Sequence, residues 1–487
     1  MLLAPAGAKY ALPEPVGFVL TSLTDGESVS GRTERAVLQL NDLQPDTGYS
    51  LTCMFGNIEF RTKQCLGAID IVAHGADTSA ADNSLAIQAA INSVPDGGTL
   101  LVPPGCFMTG PLFLCSRMTV HLAQGAELAA IGDWQDWPIL EERDAAGRVI
   151  GTWEGLPERS FAALITAIGC TDITLTGAGI IDGGGDRGDW WTWPKETRRG
   201  ARRPRTVFLA HCEHVLMSGL TIRNSPSWTV HPFHSRHVTA VGLKIENPPN
   251  SPNTDGLNPE CCEETDLTGI HFSVGDDCIA VKSGKRDGDR VDHLAPTRNL
   301  TISHCLMEKG HGAVVLGSEM SGGISGVRIE HCRFLGTDRG LRIKTRRGRG
   351  GRVADISMTD VDMDRVATAF AANAFYFCDA DGTSNAVQSR DPAPVDDTTP
   401  RITAITLKNV TATNVQLAAV ALLGLPEAPF SDIRIENMLV SFDPDAVADV
   451  PLMACRVPAC RHEAILAQFA EVDGGITLAP KDERHAD

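Results

Sequence analysis

Aromatic side chains are scarce in this chain: 5% of its 487 residues, with only three tyrosines. Cationic charge is also in deficit, with 43 Lys and Arg against 61 Asp and Glu, a net charge of −18. So acidic a chain is a poor general binder of nucleic acid. No apolar run reaches the ~18–20 residues that a membrane-spanning helix needs, so no membrane partner is expected. Charged residues at 21% are too few, beside 43% hydrophobic ones, for a disordered chain. The start, MLLAPAGAKYALPEPVGFVL, has no basic stretch ahead of an apolar run; Lys9 comes late and prolines interrupt. That is not an export signal, and a cytoplasmic location is the expectation. No CxxC pair of zinc type occurs among the 14 cysteines, which are spread from Cys53 to Cys460. Several, such as Cys212, Cys278, Cys305 and Cys332, lie within apolar runs, so buried free thiols are expected. Five histidines fall between His211 and His237 without ligand spacing. No metal and no cofactor is expected.

Length alone allows about three domains or one long repetitive unit. Residues 1–65 read as a small β unit. In GYSLTCMF, Tyr49, Leu51, Cys53 and Phe55 alternate with polar or smaller neighbours, and Gly56-Asn57 then turns into IEFRT, as a hairpin would. The segment DLQPDTGYSLT resembles the strand corner of fibronectin type III domains, although the unit is too short for a complete one. Residues 83–94 are the clearest helix. Ile87, Ala90, Ile91 and Val94 form one apolar stripe, Asp82, Asn83 or Ser84 can cap it, and Pro95-Asp96-Gly97-Gly98 stops it.

From about residue 100 short β-branched runs recur, separated by Gly, Asn, Asp and Ser. Examples are VLMSGLTIRNS (215–225), VTAVGLKIENP (238–248), NLTISHCLMEKG (299–310) and GVRIEHCRFLG (326–336). Alternation within runs and a period of 22–30 residues between them fit the coils of a parallel β-helix. A sandwich or barrel would turn every 8–12 residues or so. The fold expected over 66–487 is therefore all-β, a solenoid of stacked aliphatic side chains, with the helix at 83–94 capping its open first coil.

Polar residues interrupt the apolar strands in SPNTDGLNPE (251–260), VGDDCIAVKSG (274–284), GHGAVVLGSEMSGG (310–323) and GLRIKTRRGRGGR (340–352). Asp255 to Asp277 is 22 residues, one coil; Asp277 to His311 is 34, with an inserted loop read at 284–297; His311 to Arg342 is 31. The four segments can then stack at the ~4.8 Å strand spacing on one face. Three carboxylates, a histidine and a basic pair would share a patch. Such crowding raises one carboxyl pKa and leaves another ionised, the pairing that glycosidic cleavage requires. Adjacent Asp276 and Asp277 share a face only if the chain bends at Gly275. Arg342 and Lys344, two apart, share a face and suit an acidic substrate group. The alternative for this pair is a solvated basic loop, since Arg346, Arg347, Arg349 and Arg352 follow. RRGARRPR (198–205), beside WWTW, reads either as a source of sugar contacts or as a charged rim. His311 has a purely structural alternative.

NTD at 253–255, DD at 276–277, GHG at 310–312 and RIK at 342–344, in this order, resemble glycoside hydrolase family 28, the polygalacturonases. The likeness extends over about 67–440, including AIQAAIN, GGTLLVPPG, TGPLFL and IIDGGG. It implies a right-handed parallel β-helix that hydrolyses galacturonan with inversion and without metal. It implies Asp276 as general acid, Asp255 and Asp277 as activators of water, and His311 as support for the acid. Arg342, Lys344 and Asn253 are implied as substrate-binding residues, the basic pair gripping the galacturonate carboxylate. Many relatives have a third Asp where Asn258 stands here, a departure read as leaving the trio untouched. The implied partner is pectic oligo- or polysaccharide, with oligomeric state open. GSEMSGG and the long insertions at 133–160, 184–205 and 284–297 point to exo-action. The alternatives are a pectate lyase that holds calcium on the aspartates and a non-catalytic polysaccharide-binding adhesin.

Overall fold

A left-handed backbone corner, repeated once per coil, accounts for much of the Asn, Asp, His and Gly punctuation. Asp172, His214, His237, Glu264, Asn299, Gly326 and Asp355 stand in one column across consecutive coils. All seven have φ between 52° and 67°. Glycine takes that conformation freely, and Asn, Asp and His tolerate it better than other side chains.

Between corners the strands are in register, and like residues stack on like. Ile173, Val215, Val238, Thr265, Leu300, Val327, Ile356, Ile405 and Ile433 form one such column. The aliphatic members are at most 1% exposed. Each buried aliphatic side chain contributes about 1.5–3 kcal/mol, and repetition along the axis supplies a core without many aromatics. The computed structural model, which describes residues 2, 3, 5 and 7–479, is a right-handed parallel β-helix. One long sheet has 21 strands. A shorter face is made of two sheets: a four-stranded one ending at Val230–Phe233 and a six-stranded one beginning at Asp277–Val281. The segment 257–260 links them through single bridges, Val230 to Leu257 and Leu257 to Ile279.

The helix is Ser84–Ser93, and it buries Ile87, Ala90 and Ile91 in the same core as the first coils. Asp82 accepts from the Ser84 amide at 2.8 Å, while Asn83 is turned inward to the Asp77 amide. At the N-terminus four antiparallel strands, Ala11–Ser22, Ser28–Arg35, Gly48–Cys53 and Gly56–Arg61, surround a separate small core. Cys53 pairs with Gly56, so the hairpin turns at Met54-Phe55, two residues before Gly56-Asn57. All 14 cysteines are free, and seven are buried, Cys212, Cys278, Cys305 and Cys332 among them. Burial pushes the Cys212 thiol up to about 12.

Excursions leave the coils at 133–160, 184–205 and 284–297, as expected, and also at 376–400 and 443–462, which periodicity did not reveal. They gather around the shorter face.

Candidate active site

The site is built on the outward positions of the six-stranded sheet. Asp277 is in register with Gly312 on the next coil, Val315 with Arg342, and Gly317 with Lys344. The inserted loop at 284–297 thus accounts for the long interval between Asp277 and His311. Ile343 is fully buried, so Arg342 and Lys344 both face outward. The bare Gly312 leaves the gap through which they reach back two coils. A Cβ there would lie 3.2 Å from Asp277 Oδ1 and 3.7 Å from Arg342 Cδ. Lys344 Nζ donates to Asp277 Oδ2 at 2.7 Å, and Arg342 Nη1 approaches Oδ1 at 3.5 Å.

The chain bends at Gly275-Asp276, and the strand begins at Asp277. A Cβ on Gly275 would come within 2.5 Å of the Ser251 carbonyl oxygen, so the bend needs glycine. It turns both carboxyls to the cleft, and the Asp277 amide donates to Asp276 Oδ1 at 3.0 Å. Asp255 arrives from the preceding coil, and Asn258 Nδ2 donates to its Oδ2 at 2.7 Å. The departure at position 258 leaves the three aspartates in place and sets a neutral donor against Asp255.

Burial raises carboxyl pKa values throughout this cluster, and local charge then separates them. At Asp277 burial is outweighed by Lys344 and Arg342, and the group stays below its ordinary range. Asp276 has burial and the Asp277 charge both raising it. Asp255 is pushed up to about 8 by burial and by Asp276. The trio thus sets a carboxylate held ionised by two cations beside two carboxyls, Asp255 and Asp276, that burial and like charge raise.

His311 sits beside this cluster: its backbone amide donates to the Asp276 carbonyl at 3.0 Å. Its ring makes a 2.7 Å bond from Nδ1 to Asp338 Oδ2. That bond, against partial burial and with help from Asp276, raises the imidazole to about 9. A cation then faces Asp276 at neutral pH. Asp338 escaped the sequence reading, although it lies 27 residues, one coil, beyond His311. Asp338→Asn should return the His311 titration toward its ordinary ~6.5, a downward shift readable by NMR of the imidazole. A titration unmoved from about 9 would mean that the aspartates alone hold the proton.

Several basic residues take different places from those expected. Arg346 and Arg349 are buried and paired with Asp379, and Arg347 is paired with Glu427, so this is not a solvated loop. From RRGARRPR, Arg203 is fully buried. It donates to the carbonyls of Pro226 and Pro252, and to Asn253 Oδ1 at 2.6 Å. It therefore anchors the NTD loop, and the Asn253 carbonyl is already engaged, leaving its NH2 toward the cleft. Trp190 and Trp193 are buried in a cluster with Trp134, Trp137 and Phe161, so they are no sugar platform. One coil of 23 residues brings His214 beside His237, rings 4.8 Å apart, with Glu213 close by. These ligand-type groups are partly or fully exposed on the long sheet, away from the cleft. Lys282 and Glu319, unassigned from sequence, are buried in the cleft wall as an ion pair at 2.7 Å.

Comparison with known proteins adds four findings. The model of glycosyl hydrolases family 28 matches residues 151–455. A Vitis vinifera protein named "Probable polygalacturonase" is 36% identical over 365 residues, 74% of this chain and 71% of that protein. A "Polygalacturonase" of Juniperus ashei is 29% identical over 288 residues, 57% of this chain but only about half (52%) of its own length. Among solved structures, a hyperthermoactive exopolygalacturonase from Thermotoga maritima superposes with a TM-score of 0.68 at 24% identity, covering 84% of this chain and 91% of that one; at that identity the likeness is one of fold.

Proposed function

The chain belongs to glycosyl hydrolase family 28, and from that premise we propose that it hydrolyses α-1,4-galacturonosyl bonds with inversion, releasing units from a chain end. The observation that carries this reading is the grip of Lys344 and Arg342 on Asp277, which keeps it ionised beside Asp276, whose carboxyl burial and the Asp277 charge raise so that it can carry a proton. Asp276 gives that proton to the departing glycosidic oxygen. Asp277, with Asp255, aligns a water on the opposite face of the sugar and draws its proton as the water attacks C1. One carboxyl protonating the leaving oxygen while another activates a water on the opposite face of the ring gives inversion. The cations on the cleft floor suit a uronate, because Arg and Lys recognise carboxylates by charge and hydrogen bonding. The same pairing argues against the lyase alternative: an Asp277 engaged by Lys344 and Arg342 is a poor calcium ligand.

The walls of the cleft support end-on attack. The insertions 133–160 and 184–205 are joined by Lys195–Glu154 at 2.5 Å and Arg202–Glu158 at 2.5 Å. The Lys285 amide ties the same wall to Gly155. Across the site, the carbonyls of Pro451 and Met453, from the 443–462 excursion, accept from Arg339 and Asn373. A groove obstructed by such walls favours chain ends over internal bonds. Viscosity followed against reducing ends on polygalacturonate tests this: viscosity should fall slowly while monomer or dimer accumulates. A steep fall at a few per cent of bonds cut would mean internal cleavage.

A further inference from the structure

We propose that Lys282 is a positioning residue for the carboxylate trio, its ammonium oriented by Glu319 so that its field falls on Asp255. This rests on the acid–base reading of that trio. Lys282, Glu319 and Asp255 line the same cleft. Lys282 follows the strand Asp277–Val281 and bridges to Glu260 on the preceding coil, the coil that carries Asp255. Glu319 comes from the next coil, and its carbonyl accepts from the Ser283 amide at 2.7 Å, which fixes it beside Lys282. Lys282 Nζ donates to Glu319 Oε2 at 2.7 Å and stands 4.6 Å from the centre of the Trp228 ring. Both members of the pair are nearly inaccessible, at 5% and 9% side-chain exposure.

Asp277 has two cations of its own, whereas Asp255 has the neutral amide of Asn258 as its side-chain hydrogen-bond donor among the described residues. Among the positive groups that act on Asp255, Lys282 has the largest effect, followed by Lys344. The titratable groups facing Lys282 are Asp255 and Glu260 from the preceding coil, His231 from the coil before that, Asp277 from its own, and Glu319 from the next. Burial opposes the charge on Lys282, but Glu319 and Asp255 outweigh it and keep the ammonium protonated. Stability is a weak reason for two charges here, because a buried ion pair is often no better than a well-packed apolar pair of similar volume.

The two partners therefore act on Asp255 with opposite sign. Lys282 favours the ionised form, and Glu319 offsets part of that field. Lys282→Met should move the acid limb of kcat/KM up by about one pH unit, a ~10-fold loss of the ionised form at fixed acid pH. Glu319→Gln should move the same limb down, and Lys282→Arg should keep it near the wild-type position. A pair that only stabilised the fold would lower the melting temperature in both variants and leave the limb in place. Limbs that stay in place, or that move in the same direction, would overturn the proposal. A second readout does not depend on the substrate: carbon NMR of protein labelled at the Asp carboxyls, with the Asp255 signal assigned through Asp255→Asn. Its titration should rise in Lys282→Met and fall in Glu319→Gln. Absent polygalacturonate hydrolysis by the wild type would defeat the functional reading, while this titration would still decide the role of the pair.

Discussion

Asp276→Asn should lower kcat on polygalacturonate by at least ~10²-fold while substrate binding changes little. Loss of a general acid costs roughly 10²–10⁴-fold, and a sugar alkoxide is a poor leaving group without a proton. The side chain accepts from the Asp277 amide through Oδ1, and asparagine retains an oxygen for that bond. The fold should therefore persist, and the loss should lie in chemistry. Binding of an oligogalacturonide, measured by calorimetry, should stay within a few-fold of wild type. Turnover near wild type would remove Asp276 from the mechanism.

Lys344→Ala should be severe for a different reason. It strips Asp277 of its 2.7 Å partner and leaves Arg342, at 3.5 Å, as the near cation. Asp277 is 1% exposed, so water does not replace the lost partner. Removing one member of a buried pair costs about 3–5 kcal/mol. Denaturant unfolding should register that loss, and kcat/KM on de-esterified substrate should fall with it. Pairing the change with Asp277→Asn should recover stability without activity. The pH dependence has a definite sign. The folded-state pKa of Asp277 is depressed, so its stabilisation is present above the unfolded value of ~3.9 and is lost as pH falls through the folded one. Wild type should thus lose stability on the acid side, and Lys344→Ala should lose less there. Unchanged stability in the variant would mean that the pair is not formed in solution.

Strand period and chemistry were legible in the sequence for the same reason: a coil repeats. The interval from Asp255 to Asp277, the alternation Arg342-Ile343-Lys344 and the bend at Gly275 are local patterns that became geometry once coils stacked. Much of what escaped is contact between distant segments. Arg203 reads as part of a basic run, yet it is buried because it reaches the Pro226 and Pro252 carbonyls and Asn253, about 20 to 50 residues further on. Asp338 carries no motif of its own, and Glu319, although it lies within GSEMSGG, gains its meaning only from the Lys282 side chain beside it, as Asp338 does from His311. The 443–462 excursion has no periodic signal, so the second wall of the cleft was invisible. Asn258 was visible as a departure, but its bond to Asp255 followed only from the fold.

The most direct test of the acid–base account is proton NMR of polygalacturonate digested by fresh enzyme, recorded before the anomers equilibrate. The account predicts newly formed reducing ends in the β configuration, inverted from the α linkage. First-formed α ends, or unsaturated products absorbing in the ultraviolet, would contradict it.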